Sequence, residues 1–206
     1  NTFPGQVAVT LNDQTLIPGK DFLADASSGT YKGKKLPVAT FDVSTVSSGR
    51  KWKKKIVKKF DKRHVWLLQG TDSLLKRTGM SRAALPFILP KGCFMVPVHG
   101  KQIWTVSREH ADGTAVLYVQ DSIMPAKLTH AEVQIAAKIE NSFDAVNVVA
   151  KVPGEIPDSF LVVSAHYDHL GQMGSAIFPG ASDNASGVAM LLYLAEYFAQ
   201  HKPRYT

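Results

Sequence analysis

Residues 6–11, Gln-Val-Ala-Val-Thr-Leu, alternate apolar and polar positions like a half-buried strand and run into Asn12-Asp13, which predicts a small hairpin. Pro18-Gly19 and Ser27-Ser28-Gly29 break the pattern, and the β-branched residues of 36–46 predict a strand. Trp52, Ile56 and Phe60 then recur every four residues, one apolar stripe on a helix over 50–63. A strand at 64–68 follows, and then a helix over 71–84, capped by Asp72 or Ser73, with Leu74, Leu75 and Ala83 turned inward. Short strands are expected at 87–89, 94–98, 103–106 and 115–119, separated by turns at Pro90-Lys-Gly92, His99-Gly100 and Asp112-Gly113.

The pattern changes after residue 127. Residues 127–140 mix apolar and polar positions. Residues 147–154, ending in Pro153-Gly154, and the apolar run 160–165 read as two strands of a hairpin, the second apolar enough to lie buried in a sheet. Residues 166–182 form a loop. Within 184–200, Val188, Leu191, Leu192, Ala195, Phe198 and Ala199 lie at offsets of three and four, a strongly amphipathic helix stopped before Pro203. The fold class is therefore α/β. A smaller α/β unit rich in short strands occupies residues 1–135, and a second domain begins over 136–206.

Composition narrows this picture. With 45% hydrophobic and 20% charged residues the chain is globular rather than disordered, and no apolar run approaches the roughly 20 residues of a membrane-spanning helix. No targeting signal is visible at Asn1. The single cysteine, Cys93, excludes an internal disulfide and a multi-thiolate metal site, so any metal falls to His and carboxylates. The charge of +7 is lopsided: 21 basic against 12 acidic residues up to 146, and 3 against 5 from Asn147 onward. Nine basic residues and only Asp61 as an acid lie in 50–63, but without a nucleic-acid motif the solvated face of an amphipathic helix accounts for them, and no nucleic-acid partner is expected.

Two constellations carry chemistry. His166-Tyr-Asp-His169 follows the apolar run 160–165, and the carboxyl end of a strand is where α/β sheets gather ligands. In an extended chain His166 and Asp168 share a face, so the Asp168 carboxylate could accept a hydrogen bond from the imidazole nitrogen that does not bind metal, fixing the tautomer. The second constellation, Gly180-Ala-Ser-Asp-Asn-Ala-Ser-Gly187, precedes the best helix in the chain. Its small residues allow a tight turn that brings Asp183 toward another loop, although Asp, Asn and Ser also serve as helix caps.

In this order, the two motifs make residues 147–206 resemble the start of the catalytic domain of the zinc aminopeptidases of peptidase family twenty-eight, the bacterial leucyl aminopeptidase group with its carboxypeptidase and glutaminyl-cyclase relatives. The resemblance implies that His166 is a terminal ligand of one zinc, that Asp183 bridges two zincs, and that Asp168 is the catalytic-site partner of His166. It also implies a cis peptide between Asp183 and Asn184. Tyr167 and His169 match no ligand and are expected at the rim or in packing. The preceding unit resembles, more faintly, a protease-associated domain, a lid or wall for substrate.

The family takes its general base and a further ligand from a Glu-Glu pair after the next strand. The five glutamates here are Glu109, Glu132, Glu140, Glu155 and Glu196; none are adjacent, and Glu196 lies within the helix. The expectation is a fragment, inactive by itself, of a metallo-aminopeptidase that removes amino-terminal residues from peptides by metal-activated water. The missing carboxy-terminal part of the domain would be its partner. A receptor-like relative without catalysis, or a glutaminyl cyclase using one zinc, are the alternatives. The resemblance also implies an exported enzyme, periplasmic or extracellular.

Overall fold

The computed structural model describes residues 2–206 other than 4, 47–53, 55, 56 and 143. It divides into two compact units, residues 1–140 with 172–177, and residues 141–171 with 178–206. Trp52 and Ile56, on which the basic helix was expected to turn, lie outside the described residues.

The first unit is built on eight strands: β1 Val7–Leu11, β2 Gln14–Thr15, β3 Phe22–Ala24, β4 Tyr31–Asp42, β5 Val65–Gln69, β6 Gly92–Val98, β7 Thr114–Gln120 and β8 His130–Ile135. They form one mixed sheet in the order β2-β1-β8-β4-β5-β6-β7-β3. The neighbours β4 to β5, β5 to β6 and β6 to β7 run parallel, and the remaining pairs antiparallel. Parallel neighbours require a crossover, and between β5 and β6 it is supplied by α1 Thr71–Thr78 and α2 Leu85–Ile88. Leu74, Leu75 and Leu85 from these helices pack on Leu68, Phe94, Val96 and Val116 of the strands. Phe60 closes one end of this core, its ring set edge-on 5.4 Å from Phe41, 5.0 Å from Trp66 and 5.1 Å from Phe94.

The hairpin expected at Asn12-Asp13 is present, both residues holding positive φ (44° and 70°), as a tight two-residue turn requires. Elsewhere tertiary context overrides the local pattern. The helix expected over 71–84 ends at Thr78 because Gly79 adopts φ 66° and caps it; at its start stands Gly70, without a side-chain cap from Asp72 or Ser73. Residues 87–89 were expected as a strand, but Pro86 in the first turn starts α2 instead. Residues 103–106 form no strand, and Ile103 is 79% exposed. The strand expected at 36–46 begins earlier, at Tyr31, and gives way after Asp42 to a short turn in which the Asp42 carboxylate accepts from the Ser44 N–H at 2.8 Å. β8 was not expected, although Ala131, Val133 and Ile135 alternate with polar residues; it pairs with β1 on one side and β4 on the other.

Residues 172–177 belong to the first unit and come from a hairpin of β9 Gly171–Met173 and β10 Ala176–Phe178. Met173 is fully buried there, its sulfur accepting from the Ala24 N–H at 3.2 Å.

In the second unit the long helix α3, Ser186–Gln200, lies where its periodicity placed it. The hairpin of 147–154 and 160–165 does not form: neither segment is a strand, and Val149 and Val162 are 87% and 85% exposed. A strand exists only where a neighbour takes its backbone groups. Here the pairing offered by the described residues is short: Glu155 and Ile156 donate to the carbonyls of Pro203 and Arg204, and Leu161 to that of Thr206.

Candidate metal centre

The second unit brings both chemical motifs together through two local turns. Residues 181–185 make a wide turn closed by the Ala185 N–H on the Gly180 carbonyl at 3.0 Å, in which Asp183 and Asn184 leave the helical region. The peptide between Asp183 and Asn184 is cis, as the resemblance implied. Capping of α3 falls to Asn184, whose side-chain oxygen accepts from the Gly187 N–H at 3.2 Å. Asp183 is thereby left out of the cap, and its carboxylate turns to the imidazoles.

His166 Nε2 lies 3.2 Å from Asp183 Oδ1. On the other side of the ring, His166 Nδ1 lies 3.0 Å from the backbone carbonyl of Asp168. A carbonyl can only accept, so Nδ1 carries a hydrogen, and Nε2 is left to face the carboxylate, with a lone pair in the neutral ring or a hydrogen in the protonated one. Two lone-pair atoms at this distance repel unless a proton or metal ion lies between them. Two ligands at zinc distances of about 2.0–2.2 Å, seen from a tetrahedral ion, stand roughly 3.4 Å apart. The donor set, one imidazole and one carboxylate, and its spacing both fit one edge of such a site. The Asp168 carboxylate, expected on this nitrogen, stands with Oδ1 3.7 Å from Nδ1, within ion-pair range, and the backbone carbonyl of the same residue is the nearer acceptor. The sharing of a face by positions 166 and 168 presumed a strand, and the chain there is not one.

His169 was expected only at the rim, yet it joins this group. Its Nδ1 donates to the Phe178 carbonyl at 2.8 Å, which leaves Nε2 facing Asp183 Oδ2 at 3.8 Å. The two oxygens of Asp183 therefore face different imidazoles, each held by a backbone carbonyl through its far nitrogen. Gly180 permits the approach, since a Cβ there would lie 2.6 Å from the Asp183 carbonyl and 2.8 Å from His169 Cβ. The only cue to His169 in the sequence is its place three residues after His166; its partner Phe178 arrives through the β9–β10 hairpin, which no local pattern announced. Among the described residues, no group of three or more His, Cys, Asp or Glu is arranged to hold a metal ion by itself. The side chains of His166 and Asp183 are 53% and 74% exposed, so the pair is an open half-site.

Part of the chain is similar to known proteins. A "vacuolar membrane protease" of Schizophyllum commune is 42% identical over 65 residues, 31% of this chain and 7% of that protein. A "probable zinc metalloprotease" of Pyricularia oryzae is 42% identical over 76 residues, 35% of this chain and 15% of that protein. A "vacuolar membrane protease" of Lachancea thermotolerans is 28% identical over 110 residues, 53% of this chain and 10% of that protein. The chain thus spans a small part, 7–15%, of the length of these relatives. No solved structure matches. These relatives are fungal, and two carry the vacuolar membrane in their names, which overturns the expected periplasmic or extracellular location. Among the described residues, no helix is long and apolar enough to cross a membrane. The stretch that carries both motifs, residues 147–206, matches peptidase family M28.

Proposed function

We propose that the complete protein is a zinc-dependent peptidase that removes amino-terminal residues from peptides, with His166 and Asp183 as two of its metal ligands. The observation that carries this reading is the 3.2 Å approach of His166 Nε2 to Asp183 Oδ1, with the far nitrogen of the imidazole held by a carbonyl. When bound, zinc supplies a Lewis acid that polarises the scissile carbonyl and acidifies water. The chain's own part is to aim donors. The Asp168 carbonyl fixes the tautomer of His166, and the Phe178 carbonyl that of His169. Asp183 presents its oxygens in two directions, an arrangement suited to bridging two ions.

Two ligands are too few for a catalytic zinc, which takes three protein ligands and an open position. The remaining ligands and the general base are therefore assigned to polypeptide outside these residues. That polypeptide would also supply sheet partners for 147–154 and 160–165, whose apolar side chains are exposed. Residues 1–135 would form a protease-associated-like module that walls the substrate, ahead of a peptidase domain starting over 136–206. The vacuolar membrane, which the names of two relatives carry, is the location proposed for the whole protein.

The test is zinc content and hydrolysis of aminoacyl p-nitroanilides by the complete protein, with and without a chelator, beside the same peptides blocked at the amino terminus. Zinc-dependent cleavage of unblocked substrates alone is expected. Undiminished cleavage in the chelated protein refutes the metal reading, and equal cleavage of blocked peptides refutes the aminopeptidase reading.

A further inference from the structure

The sheet of the first unit carries a second feature, remote in chemistry from the metal centre. Four lysines, Lys32, Lys34, Lys62 and Lys91, line a depression of about 340 Å³ together with Tyr31 and Gly33, and no carboxylate lines it. Among the described residues, ion pairs of lysines run from Lys35 to Asp13, Lys91 to Asp112 and Lys138 to Glu140; Lys32, Lys34 and Lys62 make none. Ammonium groups gathered around one hollow repel each other, and a multivalent anion offsets that repulsion.

The backbone is shaped for this gathering. The pairing of β4 with β8 shifts register between Gly33 and Leu36, and Lys35 takes φ 47°. Such a bulge re-aims side chains. Here Lys35 goes to Asp13 at 3.7 Å, while Lys32 and Lys34, two residues apart on the strand, line the depression together. Gly33 cannot be replaced without disturbance, since a Cβ would lie 2.8 Å from the Leu36 side chain and 3.0 Å from the Tyr31 ring. Burial pushes the Tyr31 phenol up to about 12, so its hydroxyl remains a donor at neutral pH.

We infer that this pocket binds the phosphate group of a phosphorylated ligand, a free phosphate ester or a lipid headgroup. Lysines act as point charges toward phosphate, whereas planar carboxylates are better matched by the paired donors of arginine, and none of the lining residues is Arg. The volume lies at the small end of ligand sites, roughly 300–1,000 Å³, enough for a headgroup-sized molecule.

The test compares the 206-residue chain with the double variant Lys32→Gln/Lys34→Gln and with the control Lys76→Gln/Lys101→Gln, which removes equal charge outside the pocket. All four lysines are exposed, and circular dichroism with thermal melting verifies that each variant is folded. Calorimetry with inorganic pyrophosphate is expected to show binding weakened at least about tenfold in the pocket variant, about 1.4 kcal/mol, and less than about twofold in the control. Flotation with phosphatidylcholine vesicles, with and without a phosphoinositide or phosphatidylserine, separates the sources. Pocket-dependent capture by phosphoinositide vesicles without pyrophosphate binding assigns the site to a lipid headgroup. The inference is overturned by equal losses in both variants, by phosphatidylserine capture equal to that of the phosphoinositide, or by binding to neither probe.

Discussion

Removing one oxygen, in Tyr118→Phe, tests the reading of the first unit's interior. Asp25 is only 7% exposed at the end of β3. Its carboxylate accepts from the Ser27 N–H at 2.9 Å and from the Tyr118 hydroxyl at 2.7 Å. Burial raises the Asp25 pKa, and these two donors pull it partly back; burial and the nearby carboxylate push the Tyr118 phenol up, so it stays a donor. Because the folded-state pKa of Asp25 lies above its unfolded value of 3.8, its contribution to stability is full below that value and is lost as pH rises through the raised one. Losing the tyrosine donor raises the pKa further, so the variant is weakened most where the carboxyl is ionised.

A hydrogen bond to a charged group is worth about 1.5–3 kcal/mol and one between neutral groups about 1. The expected cost of Tyr118→Phe is thus about 2 kcal/mol at pH values where Asp25 is ionised, a fall in Tm of about 4–8 °C, and about 1 kcal/mol near pH 3. Urea unfolding from pH 3 upward through the titration of Asp25, repeated in an Asp25→Asn background, measures this. A cost independent of pH, or one undiminished in the Asp25→Asn background, would show that the tyrosine does not act through this carboxylate.

Other residues give further tests. His169→Ala frees the Phe178 carbonyl and should weaken zinc binding by the complete protein about 10–100-fold in equilibrium dialysis, with partial recovery in His169→Gln; an unchanged affinity would return His169 to a packing role. Gly180→Ala places a Cβ 2.6 Å from the Asp183 carbonyl, so zinc retention should fall at least about tenfold. The helical circular dichroism signal from α3 should persist. Phe60→Ala removes three edge-on ring contacts from a half-buried position and should cost about 2–3 kcal/mol in chemical unfolding; a cost under about 1 would mean that Phe60 does not close the core.

The pattern of residues was sufficient wherever an element draws its reason from itself. The Asn12-Asp13 hairpin rests on two residues that tolerate positive φ, and α3 on apolar positions recurring within one segment. The approach of Asp183 to His166 was legible because each sits in a motif with its own small or turning neighbours. Tertiary structure decided whatever depends on a distant partner. β8 is a strand because β1 and β4 pair with it, whereas residues 160–165, more apolar, are not a strand because no described neighbour completes their ladder. It also decided which atoms meet. The Asp168 carbonyl lies nearer His166 Nδ1 than its carboxylate does, and His169 faces Asp183 with its Nδ1 on the Phe178 carbonyl that a hairpin returns to it. Local propensity is additive along a chain, but hydrogen bonds between remote segments are pairwise, and only the folded backbone says which pairs exist.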